Sequence, residues 1–219
     1  VITAECQDVT RVGLDRVHID GGRMFATNGH VLHVADAIGG DIGGRVSISA
    51  GRALLDAAKA TDADWVMSRL WANGRLLDFS IEGPLMSVLV RDLEISWHGP
   101  PLEQLLNDLG TESCVVDAAA LARSMETAAK TMKLHDDQGV TVRINGDLRV
   151  ASPVFSEVIP LASKGTGDSA MCLNPVYMRD AAQMTGNVTI RYGERMHPVA
   201  LRAGDRTAIV MPMKGNLRD

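Results

Sequence analysis

The sequence lacks the cysteine patterns that mark metal sites and disulfide frameworks. Its three cysteines, Cys6, Cys114 and Cys172, are far apart and form no C-x-x-C pair. Neither a zinc site nor a set of structural disulfides is therefore indicated. Sparse cysteine use of this kind is typical of a reducing compartment, so we expect a cytoplasmic protein.

Long hydrophobic runs are also missing. No stretch approaches the roughly 18 consecutive apolar residues that a membrane-spanning helix needs, and no signal peptide is visible. We therefore expect no membrane partner. The chain begins at Val1 rather than at a methionine, and its first strands are not preceded by a helix. The pattern predicts that an opening helix is truncated at Val1.

The common catalytic motifs are absent from the sequence as well. It has no G-x-S-x-G, no Walker A motif and no G-x-G-x-x-G, which are the patterns of hydrolase nucleophiles and nucleotide-binding loops. The glycine-rich stretch 39–44 lacks a following Lys-Ser/Thr and is typical of a hairpin loop. These absences favour a binding protein over an enzyme, and we expect no cofactor and no metal.

A net positive charge is missing too, since the chain carries a formal charge of −5. This excludes a basic protein that coats nucleic acid with its whole surface, but it leaves room for a local basic face. What is present is the composition of a globular protein, with 46% hydrophobic and 22% charged residues. A length of 219 residues suits one large domain or two of ordinary size.

The order of predicted elements indicates an internal repeat of about 110 residues. Asn28-Gly29 between two short β-compatible runs predicts a hairpin. Helices are predicted at 49–60, 117–132 and 174–184, the last with Asn174 as N-cap and Pro175 at its first position. Strand-like runs, including 11–17 and 156–162, fill most of the remainder, and 97–106 is a turn-rich stretch. The turns between the strands are too short for parallel crossovers. We therefore predict an α+β fold with antiparallel sheets in two domains, 1–108 and 109–219.

Basic residues recur on the predicted helices opposite their apolar faces. On helix 117–132, Leu121, Met125, Ala128 and Met132 share one side at 100° per residue. The opposite sides of the three helices carry the basic residues Arg52, Lys59, Arg123, Lys130, Lys133 and Arg179. One interpretation is an ordinary solvated surface. The other is a set of helices that present Lys and Arg to phosphates, without reading the base sequence.

The stretch "FATNGHVLHVAD", residues 25–36, contains two histidines that invite a metal interpretation. The hairpin at Asn28-Gly29 places His30 and His33 on a strand, where residues three apart point to opposite faces. One metal ion cannot easily use both, which disfavours a metal site. A metal-dependent enzyme using His30 and His33 stays an alternative, and it predicts stoichiometric bound metal.

Two stretches, taken together, resemble a known family. "FATNGHVLHVAD" resembles the "ATDGHRLA" segment of the bacterial DNA polymerase III beta sliding clamps. "NPVYMRDAAQM" and "PVALRAGDRTAIVMPMK" resemble the final domain of that family, down to its terminal V-M-P-M-R/K. "DVTRVGLDRV" and "GPPLEQLL" match further segments in the same order. The resemblance covers nearly the whole chain and corresponds to the second and third domains of the family.

The resemblance implies a ring. Domains of these clamps each pair two helices with two small antiparallel sheets, and six domains close around duplex DNA with the helices lining the hole. A two-domain chain would form a trimer, whereas a chain that lacks its first domain would belong to a dimer. The implied function is a non-enzymatic processivity factor at the nucleoid, contacting double-stranded DNA without sequence preference. Its implied partners are the DNA polymerase, the clamp loader and other proteins with clamp-binding peptides.

The resemblance also implies a hydrophobic pocket that receives those peptides. The positions that match the family pocket in this sequence are Leu14, Thr27, Gly29, His30, Leu32, Pro100, Leu105, Met196, Pro198, Val199, Ile209, Met211, Pro212 and Met213. An apolar pocket with a few polar groups suits the anchoring of a short peptide, and methionines adapt to varied partners.

Several positions depart from the family pattern. Asn28 and Val31 replace the usual Asp and Arg, and Leu102 replaces an aromatic residue. The tail continues for five residues after Lys214, as GNLRD. These differences leave an alternative open, in which the chain is a clamp-like adaptor or decoy that binds clamp-binding peptides without encircling DNA.

Overall fold

The computed structural model describes residues 14, 16–20, 22–36, 44–47, 56, 66–72, 75–82, 87–91, 102–107, 109–132, 139–165, 167–215 and 217. The chain divides into two compact units. The first comprises Val1–Gly29 and Val34–His98, and the second comprises His30–His33 and Gly99–Asp219. The predicted domain boundary at 108/109 stays a prediction.

The first unit is described as β-strands in two antiparallel groups. Its strands are β1 (Arg16–Asp20), β2 (Arg23–Thr27), the later half of β3 (Val31–Asp36), β4 (Gly44–Ser47), β5 (Val66–Ala72), β6 (Arg75–Glu82) and β7 (Ser87–Arg91). Residues 31–33 of β3 belong to the second unit. Their order is β3-β2-β1-β4 in one group and β5-β6-β7 in the other. The predicted first strand, 11–17, overlaps β1 at residues 16 and 17, and its residues 11–13 and 15 lie outside the described residues. The predicted helix 49–60 lies outside the described residues except for Asp56, which is helical and exposed.

The turn at Asn28-Gly29 has the conformation that the sequence predicts. Gly29 has a φ of 87°, a left-handed conformation that glycine adopts without a steric penalty. Its amide donates a hydrogen bond of 3.0 Å to the hydroxyl oxygen of Thr27. The turn therefore closes directly after β2 and lets β3 begin at Val31.

The described residues of the second unit form three helices and two antiparallel groups of strands. The helices are α1 (Leu102–Asn107), α2 (Ala118–Met132) and α3 (Pro175–Ala181). The strands are β8 (Glu112–Asp117), β9 (Val140–Asn145), β10 (Asp147–Ser152), β11 (Phe155–Ile159), β12 (Leu161–Ser163), β13 (Ser169–Leu173), β14 (Asn187–Tyr192), β15 (Val199–Ala203) and β16 (Arg206–Val210). One sheet has the order β12-β8-β14-β15-β16 and the other β11-β10-β9-β13.

Helix α2 forms the centre of the second unit. Leu121, Met125, Ala128 and Met132 are all buried, as the 100° periodicity predicts. The carboxylate of Asp117 accepts a hydrogen bond of 2.7 Å from the amide of Ala120, which caps the helix. The buried face packs on strands of both sheets and on α3. Burial of each large side chain contributes roughly 2 kcal/mol.

Five elements of the second unit differ from the sequence prediction. Helix α1 lies where a turn was expected, since Pro100-Pro101 is also compatible with the start of a helix. The single predicted strand 156–162 is divided into β11 and β12 at Pro160, which has no amide to donate. Strands β8 and β13 were not predicted, because each is short and follows a loop that obscures its alternation.

Candidate peptide-docking surface and helix face

The residues of the segment His30–His33 contact the end of the chain within the second unit. The amide of Met211 donates a hydrogen bond of 2.9 Å to the carbonyl oxygen of His30. The His30 imidazole stacks on the Tyr177 ring, with centroids 5.9 Å apart and planes 9° apart. We call the surface formed by His30, Tyr177, Met211, Pro212 and Met213 the docking surface.

Helix α3 positions Tyr177 through its first turn. The side-chain oxygen of Asn174 accepts hydrogen bonds from the amides of Val176 and Tyr177, at 2.9 and 3.4 Å. Pro175 occupies the first helical position, where its missing amide has no cost. The predicted N-cap and proline positions are thereby confirmed. This capped turn fixes the backbone from which the Tyr177 ring reaches His30.

Strands β15 and β16 pair directly before the docking surface, since β16 ends at Val210. Val199 pairs with Val210 and Ala200 pairs with Ile209 in an antiparallel register. Val199 and Ile209 are both buried, whereas Met211, one residue beyond the strand, is 42% exposed. The chain thus passes from a buried core strand to an exposed methionine within two residues. Pro212 and Met213 follow it in half-buried positions.

The other predicted pocket residues occupy varied environments. Leu32 is buried, Pro198 and Leu105 are half-buried, and Met196 is 50% exposed in the turn before β15. The contacts that define the docking surface involve neither Leu105 nor Met196. Three predicted residues belong to the first unit, where Leu14 is half-buried, Thr27 is buried and Gly29 is exposed in its turn. Pro100 lies outside the described residues.

Tyr177 is the member of the docking surface that the sequence did not predict. Helical periodicity predicts that Tyr177 shares one side of the helix with Ala181 and Met184, opposite Arg179. The buried residues of α3 are instead Pro175, Met178 and Ala181, and Tyr177 is half-buried at the margin of that face. The one signal in the sequence that could have indicated this position is the residue type. A tyrosine ring is amphipathic and often lies at the margin of a buried face.

The two histidines of "FATNGHVLHVAD" have different surroundings. His30 is exposed and stacked on Tyr177, whereas His33 is only 9% exposed. Burial lowers the pKa of His33 from 6.5 to about 4, because the imidazolium form loses its hydration. His33 is therefore neutral at physiological pH. The two rings lie in separate environments. His33 lies on β3 as predicted, whereas His30 lies just before the strand, which begins at Val31.

The exposed side of α2 and α3, which includes Arg123, Lys130 and Arg179, carries both signs of charge. We call this side the helix face. Arg123 is exposed, and Lys130 is exposed in an ion pair of 2.8 Å with Glu126, one turn earlier. The hydrogen bond and charge of Lys130 lower the pKa of Glu126, and the charge of Arg179 adds to this effect. Arg179 itself donates two hydrogen bonds to one carboxylate oxygen of Asp180. The predicted residues Arg52, Lys59 and Lys133 lie outside the described residues.

A polar surface groove of about 470 Å³ lies elsewhere on the second unit. Its lining includes Glu112, Arg143, Asp168, Glu194, Arg195 and Leu217, and none of the predicted pocket residues. Within the part of the chain that the structure describes, no helix is long and apolar enough to cross a membrane.

The chain resembles solved structures of bacterial DNA polymerase III beta subunits. It superposes on a putative beta subunit from Eubacterium rectale with a TM-score of 0.76 at 17% identity, covering 97% of this chain and 61% of that one. For the beta subunit of Thermotoga maritima the TM-score is 0.80 at 15% identity, covering 99% and 62%. For that of Streptococcus pyogenes it is 0.79 at 18% identity, covering 98% and 62%.

The comparisons by sequence are negative, since no family model and no curated protein sequence matches the chain. At identities below 20% the three solved structures show a shared fold. The chain spans about 61% of the length of the Eubacterium rectale subunit. The predicted α+β architecture with antiparallel sheets is confirmed, and the chain has the fold of the bacterial DNA polymerase III beta sliding clamps.

Proposed function

We propose that this chain acts as a DNA sliding clamp, a non-enzymatic processivity factor that tethers a DNA polymerase to duplex DNA. The observation that carries the proposal is the docking surface, which sits on a sliding-clamp fold. A main-chain hydrogen bond between His30 and Met211 and a ring stack between His30 and Tyr177 hold an exposed methionine in place. Such a surface binds a partner without a cofactor and without catalysing a reaction.

The docking surface suits a short peptide with apolar side chains. The polarizable Met211 and Met213 adapt to different apolar partners, while Tyr177 and His30 offer flat rings for contact. Peptide recognition on such surfaces combines apolar anchors with a few polar groups. The proposed partners are a DNA polymerase, a clamp loader and other proteins that carry clamp-binding peptides. The proposed location is the cytoplasm, at the nucleoid.

The proposed contact with DNA uses the helix face. Arg123, Lys130 and Arg179 lie on α2 and α3, and Arg52, Lys59 and Lys133 belong to the same predicted set. Lys and Arg contacts to phosphates carry no sequence information and weaken with salt. Weak contacts of this kind are compatible with sliding, because a ring does not rely on affinity to stay on DNA.

The ring itself requires self-association. Among the described strands of the second unit, β11 ends one sheet, and Val158 on it is 47% exposed. Val154, in the turn before β11, is 50% exposed. An exposed apolar edge strand readily pairs with another chain. Closure with six domains would be a trimer of two-domain chains or a dimer of three-domain chains.

The charge pairs on the helix face favour one alternative. Glu126 partly neutralises Lys130, and Asp180 partly neutralises Arg179. Among the described residues of this face, two of the three predicted cations thus have an acidic neighbour, which weakens their attraction to DNA at physiological salt. This observation supports a clamp-like adaptor or decoy that binds clamp-binding peptides without encircling DNA.

Retention on DNA of two topologies separates the proposals. The purified chain is mixed with a clamp loader and nicked circular DNA. Gel filtration then measures how much protein elutes with the DNA, before and after the DNA is linearised. A sliding clamp stays on the circle and leaves the linear product, and native mass spectrometry gives its ring stoichiometry. An adaptor binds a fluorescent clamp-binding peptide but shows equal, low retention on both DNA forms.

A further inference from the structure

The last described residues of the chain run along the edge of a sheet in the second unit. Among the described strands, β13 ends the sheet β11-β10-β9-β13. The amide of Met213 donates a hydrogen bond of 2.8 Å to the carbonyl oxygen of Cys172 on β13. Further along, Leu217 lines the polar groove together with Ser169 and Ala170, at the start of β13. The tail thus returns along β13 in the antiparallel direction.

Two further contacts fasten this tail. A guanidinium nitrogen of Arg195 donates a hydrogen bond to the carbonyl oxygen of Gly215. Gly215 also lies so close to β13 that an added Cβ would be 2.6 Å from the sulfur of Cys172. Only glycine fits this approach without moving the tail. We use the name strap for Met213, Gly215 and Leu217.

The strap is continuous with the docking surface. Met211 is held by the carbonyl of His30, and Met213 is held by the carbonyl of Cys172. Pro212 between them has a fixed φ angle, so that these two hydrogen bonds define the path of the whole segment. Irregular segments move unless contacts hold them. The contacts of Gly215 and Leu217 lie beyond Met213, where they hold this segment.

We propose that the strap is a positioning element of the docking surface, with Arg195 and Leu217 as its anchors. The proposal rests on the proposed function, because it assigns these residues a role in peptide binding. Held in place, Met211, Pro212 and Met213 present one conformation to the peptide. Released, they adopt many conformations, and the ordering cost of binding rises.

The test uses Arg195→Ala and Leu217→Asp in the full chain, with Arg206→Ala as the control. Arg206 is an exposed arginine on β16 that lines neither the strap nor the groove. Exchange of the Met213 amide, followed by NMR, reports the strap without any peptide. Fluorescence anisotropy with a clamp-binding peptide reports docking. We expect faster exchange and an affinity loss of about 3- to 10-fold in both variants, and neither change in the control.

A second pair of variants guards against unspecific effects. Gly215→Ala is expected to release the strap, because its Cβ would clash with the sulfur of Cys172. Adding Cys172→Ala removes that sulfur, so the double variant should regain slow Met213 exchange and most of the peptide affinity. Rescue of this kind is not expected if Gly215→Ala merely destabilises the unit.

The outcomes separate the strap from the proposed function. Unchanged exchange of the Met213 amide in both anchor variants would contradict the proposal that Arg195 and Leu217 hold the strap. Faster exchange with unchanged peptide affinity overturns its positioning role. If the unaltered chain binds no peptide, the proposed docking function fails and the positioning role fails with it, while the exchange data still report whether the anchors hold the tail.

Discussion

The docking surface and the helix face of the second unit are both exposed, but they are built in different ways. The docking surface depends on contacts between distant parts of the chain, since His30 meets Tyr177 and Met211. The helix face depends on neighbours in sequence, such as Glu126 with Lys130 and Arg179 with Asp180. Tertiary contacts therefore fix the shape of the docking surface, whereas the helix face is a pattern of charges on flexible side chains.

This difference suits two kinds of binding. A surface with a fixed shape selects a peptide, because the partner gains contact without ordering the surface first. A face of long charged side chains with paired charges holds phosphates weakly and without a fixed register. The proposed clamp needs both properties, a selective site for proteins and an unselective one for DNA.

Acidification is expected to have the largest effect, because it destabilises the folded chain through His33. The pKa of His33 is lowered to about 4 in the folded chain, so between pH 6.5 and 4 the unfolded chain binds a proton that the folded chain does not. Stability therefore falls as the pH falls through this window, and from pH 7 to pH 5 the loss is about 2 kcal/mol. Urea unfolding followed by circular dichroism measures it. His33→Gln should remove that part of the pH dependence, and equal slopes in both proteins would contradict the assignment.

Removal of the exposed methionine should have the next largest effect. Met211→Ala is expected to lower the affinity for a clamp-binding peptide roughly tenfold, because it deletes the apolar contact at the centre of the docking surface. Fluorescence anisotropy gives the dissociation constant. Met196→Ala serves as the matched comparison and is expected to lose less, since Met196 takes no part in the defining contacts. Equal losses would mean that the docking surface extends to the turn before β15.

Charge reversal on the helix face is expected to act on DNA and to spare peptide binding. Arg123→Glu combined with Lys130→Glu should lower the affinity for duplex DNA about three- to tenfold at low salt. The slope of log affinity against log salt should decrease by about 1 to 2, as expected when one or two phosphate contacts are lost. Arg191→Glu, on strand β14, is the matched control. Identical salt slopes in all three proteins would argue against a DNA-facing role for α2.

Removal of a negative charge from the helix face is expected to raise the affinity for DNA. Glu126→Gln releases Lys130 from its ion pair and is expected to raise DNA affinity about twofold. A filter-binding titration at low salt measures this gain. Peptide affinity should be unchanged, because Glu126 belongs to the helix face alone. A loss of DNA affinity would indicate that Glu126 orients Lys130 for its contact.

Much of the fold followed from local patterns in the sequence. The burial of Leu121, Met125, Ala128 and Met132 follows from helical periodicity, and the turn at Gly29 follows from the Asn-Gly pair. Short elements were harder to predict, because α1 and β13 each span too few residues for a periodic signal. Pro160 divides a strand that the apolar pattern alone joined.

The docking surface could be predicted only in part. The resemblance placed His30 and Met211 in one pocket, and their hydrogen bond brings them together within the second unit. Helical periodicity placed Tyr177 on the same side as Ala181 and Met184, but it does not show which residue lies at the margin of the buried face. The strap was beyond prediction, since nothing local in GNLRD indicates that Arg195 or Cys172 will contact it.

The sequence by itself determined the α+β class, the antiparallel sheets, the capped turn at Asn174 and the buried face of α2. These features depend on contacts between near neighbours, whose spacing the chain fixes. The stack of His30 on Tyr177 and the hydrogen bond from Arg195 to Gly215 followed only from the tertiary structure. Contacts of this kind join residues up to almost two hundred positions apart, and they depend on how the strands and helices pack.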